Sequence, residues 1–274
     1  MGLPQIINQE SHMETKRNLK YYTAPPISIP TIVGLVITLV GVILALVLQS
    51  KIPGIAVIVL GLLVVMFTTG GKSNDTDIEF QARALTSDLH ENSMKKFEVY
   101  EKHFLKMLRP IDLAGYDFEA AEPEFYYKKG QDGTPRTNYF KAFNLIFTSE
   151  RIYIYGRRLS LTNEEINETI TGQYKYNQLS KAEVLEKQFK TPKGDEITYH
   201  VFKIYDADGN AILDTCIDYG ADSDKAVENI NRAIEVRRVE IEKRAEERTV
   251  KLREFREKVL AGEITDLPQD SLDN

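Results

Sequence analysis

The chain has 274 residues, 42% of them hydrophobic and 28% charged, with a formal net charge of −6; that is room for one ordinary domain with accessories, or two small ones. An acidic chain without a basic stripe lacks the phosphate footprint of a nucleic-acid binder, and a lone cysteine, Cys216, excludes an internal disulfide framework. The averages conceal a segregation: residues 27–71 carry one charged side chain, Lys51, and everything after Gly71 is dense in charge.

In chain order, residues 1–26 are a polar tail that closes on Lys16, Arg17, Lys20 and the pair Tyr21-Tyr22, with the tyrosines expected at the level of a membrane interface. The run ISIPTIVGLVITLVGVILALVL, 27–48, is uncharged over 22 residues. As a helix it measures about 33 Å, against about 30 Å for a bilayer core. A second uncharged run, IPGIAVIVLGLLVVMFTTGG, fills 52–71. One helix through both would be about twice the thickness of a bilayer core. The break belongs at Gln49-Ser50-Lys51, ahead of Pro53 and Gly54, which favour a turn and a new helix start. Lys51 is therefore the expected tip of a two-helix transmembrane hairpin over 27–71, and a re-entrant hairpin would carry the same pattern.

Within the hairpin Gly34, Thr38, Gly41 and Ala45 recur on one helix face, and Gly54 and Gly61 lie seven apart on the second helix. Small residues allow backbones to approach where lipid supplies no hydrophobic drive between helices, so these six are the expected packing seam, within the hairpin or between copies. Neither span holds an ionisable residue, which argues against a proton relay or ion path. Lys16, Arg17, Lys20 and Lys72 flank the ends and only Lys51 marks the tip, so both termini are expected in the cytoplasm and the protein in the plasma membrane. Gly71-Lys72-Ser73 is no phosphate loop, because Met66 stands where the other glycine is needed.

From 74 to 109 the apolar residues Ile78, Ala82, Leu85, Leu89, Phe97, Tyr100, Phe104 and Leu108 keep helical spacing, the pattern of an amphipathic helix, or of two broken at Asn92-Ser93. His90 and His103 lie on it without a third ligand nearby in sequence, so no metal is expected. Residues 110–236 change rhythm. EFYYKK, NYFKAFNLIF, RIYIYG, TGQYKY, AEVLEKQF, ITYHVFKIY and AILDTCI are separated by KKGQDGTPR, TSE, TPKGD and DADGN. Short strands spaced this way predict a β-barrel or sandwich. DADGN reads as a hairpin turn, not a calcium loop, since the spacing to a terminal glutamate is missing. A helix follows, capped by Asp222 or Ser223, with Val227, Ile230 and Ile234 on one face. It continues through 237–262 with a thin apolar stripe, Ile241, Ala245, Leu252, Phe255 and Val259, broken by Arg238 and Arg248. This extension is expected to pair as a coiled coil or to stand solvated. It stops at Gly262, before an acidic tail.

Seven strands and a closing helix are the order of a pleckstrin-homology-like (PH-like) domain. The stretches NLIFTSERIYIYG, YNQLSKAEVLEKQF, FKIYDADGNAILDT and DSDKAVENINRAI resemble the strand succession of bacterial PH-like proteins over about residues 138–236. The resemblance implies a binding module whose headgroup or partner loop lies between the first two strands, here Lys128, Lys129 and Arg136. The family's closing Lys/Arg-x-Arg is absent, because Thr137 and Asn138 follow Arg136. Residues 73–274 carry 30 Lys and Arg against 39 Asp and Glu, which repels an anionic leaflet at long range. No nucleophile and base set, carboxylate pair or Cys/His cluster points to catalysis, and no cofactor is implied. The expectation is a non-enzymatic, membrane-anchored and cytoplasm-facing module that recruits a protein partner or senses the membrane surface. The alternative is a homo-oligomeric membrane scaffold.

Overall fold

The computed structural model describes residues 14–25, 29–48, 51–69, 71–84, 86–106, 108–191, 194–218 and 220–261. The acidic tail and the stop at Gly262 lie outside them, as do Leu85 and the first two residues of the expected turn, Gln49 and Ser50. A short helix, α1 (14–23), precedes two antiparallel apolar helices, α2 (Ile29–Val47) and α3 (Ile52–Thr69). Helix α2 is long and apolar enough to cross a membrane, whereas the apolar part of α3 is shorter, Ile52–Phe67.

The amphipathic segment is two helices, α4 (Asp75–Ala84) and α5 (Leu89–Phe97), followed by a 3-10 turn at Glu101–His103. Helix α5 ends at Glu98, whose backbone is left-handed (φ 54°) and whose N–H bonds the Met94 carbonyl. Both helices are packed on the domain and are not a free linker: Ile78, Ala82 and Leu89 are buried in it.

Nine strands follow among the described residues, β1 (Ile111–Tyr116), β2 (Tyr127–Lys129), β3 (Pro135–Thr137), β4 (Tyr139–Phe147), β5 (Arg151–Ser160), β6 (Glu168–Lys175), β7 (Leu179–Lys190), β8 (Glu196–Asp206) and β9 (Ala211–Ile217). They form a sandwich-like region: a four-stranded antiparallel sheet β1-β4-β5-β6, a three-stranded sheet β7-β8-β9, and a small hairpin β2-β3. Seven strands were expected; β1 and β3 are additional to them. At DADGN the turn is as expected: Gly209 takes φ 86° and Asp206 accepts from the backbone of Asp208 and Asn210. Such a positive φ suits glycine, which lacks Cβ.

Strand β4 is buried on both faces, which accounts for the apolar residues at both its odd and its even positions. Phe143, Leu145 and Phe147 enter the core shared with Phe202, Ile204 and the long helix α6 (Ala221–Leu260). Phe140 and Ala142 enter a second cluster with Tyr21, Tyr22, Ile78 and Leu161. Helix α6 starts after Gly220, with Asp222 and Ser223 inside its first turn; the Ser223 hydroxyl accepts the Gly220 N–H. Ile230, Ala233 and Ile234 seal the core, and the Asn231 amide pairs with both backbone groups of Ala182.

Cys216 is 4% exposed, and burial pushes its thiol up to about 12. An ordinary cysteine titrates near ~8.5, so between these values the unfolded chain releases a proton that the folded chain retains. Stability is therefore expected to fall as pH rises above about 8.5, with a limiting slope of about 1.4 kcal/mol per pH unit from this one group. Denaturant midpoints at pH 8 to 10 check this: Cys216→Ala should flatten the decline, and an unchanged decline in the variant would assign it to other groups.

Candidate functional site: the hairpin, its junction with the β domain, and the free end of α6

The six small residues of the expected seam lie along the contact of α2 with α3 inside one chain. A Cβ built on Gly41 would sit 2.6 Å from the Ile58 nitrogen, one on Gly54 2.4 Å from the Ala45 nitrogen, and one on Gly61 2.3 Å from the Thr38 hydroxyl. Gly34 faces Val65 and the Gly61 carbonyl, and the Thr38 hydroxyl donates to the Gly34 carbonyl at 2.8 Å. Elsewhere the two helices turn their side chains outward: Leu39 is 61% exposed and Leu46 81%. Lys51 is exposed between the helices and its carbonyl accepts the Ile55 N–H.

Both ends of the hairpin are tied to the β domain and to each other. Asn18, 2% exposed, donates to Gln81 Oε1 at 2.6 Å and to the Leu161 carbonyl at 2.8 Å, and accepts from Ser73 Oγ at 2.6 Å. The Tyr21 hydroxyl donates to Asp75 at 2.6 Å, and the Tyr22 hydroxyl to the Thr137 carbonyl at 2.6 Å. Burial, and for Tyr21 the neighbouring Asp75, hold both phenols above their usual range. Asn18, Tyr21 and Tyr22 share one face of α1 by i, i+3, i+4 spacing. The tyrosines, expected at a membrane interface, are buried in the protein: the Tyr21 hydroxyl is held by Asp75 on α4 and the Tyr22 hydroxyl by the Thr137 carbonyl on β3. Lys16, Arg17 and Lys20 stay on the outer face.

The cations of the expected binding loop take part in this junction. Lys128 lies 3.9 Å over the Tyr21 ring and donates to the Tyr21 carbonyl at 2.6 Å. Burial and the nearby Lys72 lower its pKa. Arg136 is 4% exposed; it forks onto Asp132 at 2.9 and 2.7 Å, and its Nε stands 3.6 Å from Glu79 on α4. That fork holds the Asp132 carboxyl well below the usual range. Glu79 in turn accepts from the Tyr116 hydroxyl at 3.0 Å. Of the three cations, Lys129 is exposed and the other two hold the fold together. The turn carries backbone, too: the Gln131 N–H donates to Asp75 at 2.6 Å. Near this junction Phe125, Tyr127 and Phe189 line a cleft of about 490 Å³ with Tyr22 and Thr23.

At the other end of β4 lies the turn Thr148–Glu150. Together with Lys102, His103, Lys106 and Arg237 it borders an open cleft of about 730 Å³. Helix α6 passes this turn at Arg237 and continues past Ile241, its last residue packed against the core. Beyond it Val250, Leu252, Val259 and Leu260 are 44 to 78% exposed. His90 is half-buried, with a ring nitrogen 3.2 Å from the Asn144 amide, and His103 Nδ1 accepts the Tyr100 N–H. Among the described residues, no three His, Cys, Asp or Glu side chains are grouped to hold a metal ion.

No protein-family model, curated protein or solved structure matches the chain.

Proposed function

We propose that this chain is a non-catalytic binding module, held in the plasma membrane by the α2–α3 hairpin with a PH-like β domain on the cytoplasmic side. The observation that carries the reading is the bonding of the two hairpin ends to each other. Ser73 and Gln81, after the hairpin, bond Asn18, before it. A membrane crossed by α2 must therefore be crossed back by α3. The outward apolar faces of both helices support a lipid surround, since so large an apolar surface is rare on a soluble monomer. At 18 residues α3 spans about 27 Å, a mismatch that local thinning accommodates at modest cost.

The PH-like reading is supported by the four-plus-three strand order and the helix that follows it. Recruitment of a protein is favoured over headgroup sensing, because Lys128 and Arg136 are spent on the junction and Lys129 alone remains outside. The scaffold reading has less to draw on: the glycine seam is filled by the chain's own second helix.

Topology tests the proposal. With Cys216 replaced by serine, a single cysteine is introduced at Ser50 or, in a second protein, at Glu257, and intact cells are treated with an impermeant maleimide. The expected result is labelling at 50 in intact cells and at 257 only after permeabilisation. Labelling at 257 in intact cells would reverse the orientation, and protection of both until lysis would make the hairpin re-entrant.

A further inference from the structure

Beyond Ile241, α6 runs for 19 more residues to Leu260, about 29 Å of helix. At 100° per residue, Ala245, Leu252, Phe255 and Val259 fall on one stripe. Arg248 occupies the place that would complete it. Arg244, Lys251 and Lys258 follow one edge of this stripe, and Glu242, Thr249 and Arg256 the other. Glu246, Glu247, Glu254 and Glu257 share the back with Lys243 and Arg253. The chain as a whole is acidic, so this is a local reversal of charge around an apolar seam.

Three occupants suit an amphipathic helix edged in this way: an anionic membrane, a second copy, or an acidic protein helix. Position decides against the first. The hairpin joins the β domain at the Tyr139 end of β4, where Asn138 and Leu161 meet α1 and Tyr126. The arm departs from the Thr148–Glu150 end, and β4, nine residues long, separates the two by about 30 Å. Charge decides against the second. A parallel copy would set Arg248 against Arg248 in the seam and Lys251 against Arg256 beside it, and an antiparallel copy would align the edges of Arg244, Lys251 and Lys258. Like charges in these positions disfavour pairing.

We infer that residues 242–260 are a docking arm for an amphipathic helix of another protein, with an apolar stripe edged by Asp and Glu and a carboxylate opposite Arg248. This rests on reading the chain as a binding module and names the class of partner.

The full chain, in nanodiscs of neutral lipid, is titrated at physiological salt with two fluorescent four-heptad peptides. Both have a leucine seam; one is edged by glutamate and the other by lysine. The glutamate peptide is expected to bind about 30-fold more tightly, the scale of several charge pairs acting together. L252E/F255E should abolish its binding, and R244E/K251E/K258E should transfer the preference to the lysine peptide; circular dichroism verifies that each variant stays folded. Equal binding of the two peptides, or binding of neither, overturns the proposal. So does competition by phosphatidylserine vesicles, which would give the arm to a membrane, or self-association that L252E/F255E removes, which would give it to a second copy. The maleimide labelling of positions 50 and 257 is independent of the arm's seam, so failure of the arm and failure of the anchoring are read separately.

Discussion

Replacing Gly41 and Gly54 together by leucine is expected to separate α2 from α3 and to lower the resistance of the chain to sodium dodecyl sulfate by about 3 kcal/mol. The reason is geometric. At both positions the first new carbon would stand within 2.6 Å of backbone in the facing helix, and backbone cannot rotate aside as a side chain can. Helices in lipid associate by close van der Waals packing, so holding them further apart removes most of what joins them. Leu46, 81% exposed on the outer face, supplies the control: Leu46→Ala should shift stability by no more than about 0.5 kcal/mol. Far-UV circular dichroism during the detergent titration reads both. An unchanged midpoint in the double variant would mean that the hairpin does not close through its glycines.

Arg136→Ala is expected to cost roughly 2 kcal/mol, the scale for losing hydrogen bonds to charged groups, because the guanidinium is buried while Asp132 and Glu79 are partly exposed. The side chain is 4% exposed and stands between Asp132 and Glu79. Without it Glu79 keeps only the Tyr116 hydroxyl among these partners. The next residue, Thr137, accepts the Tyr22 hydroxyl through its carbonyl, so the loss should also release α1. Trypsin should then cut sooner after Lys16, Arg17 or Lys20. Arg136→Lys retains the charge without the planar fork and should fall between the two. If Arg136→Ala leaves both the midpoint and the cleavage rate unchanged, α1 is held by Asn18 and Tyr22 without help from the ion pair.

Strands β4 to β9 could be read from the chain because their runs of Val, Ile, Phe and Tyr are bounded by turn residues such as Asp208-Gly209 and Lys193-Gly194. Strand β1, Ile-Asp-Leu-Ala-Gly-Tyr, was hidden by its small residues; its pairing with β4 comes from tertiary burial and not from intrinsic preference. Strand β3 was hidden for another reason: three residues beginning with proline, inside what reads as one long turn. The hairpin glycines were visible as a pattern, although nothing in the pattern said whether they would meet a second helix or a second chain. The roles of Lys128 and Arg136 were the least legible. Their partners, Tyr21 and Glu79, lie 107 and 57 positions away, and charge counting does not reveal which cations will be claimed from such a distance. Helix α1 shows why: its face of Asn18, Tyr21 and Tyr22 looks polar until each group is matched to an acceptor on the domain.

Those long-range matches also impose an order on synthesis. Asn18 bonds the Leu161 carbonyl 143 positions later, and Tyr22 bonds the Thr137 carbonyl 115 positions later. At about 5–20 residues per second, Asn18 waits on the order of ten seconds for its partner to be made. The hairpin, complete by Thr69, is finished long before. The amino-terminal helix can meet Ser73, Asp75 and Gln81 soon after the hairpin is made, but it closes onto the β strands only after β5 has been laid down. In the membrane-anchored reading proposed above, a hairpin with its two ends on opposite faces could not complete that last closure, so the junction would select for ends that share a face.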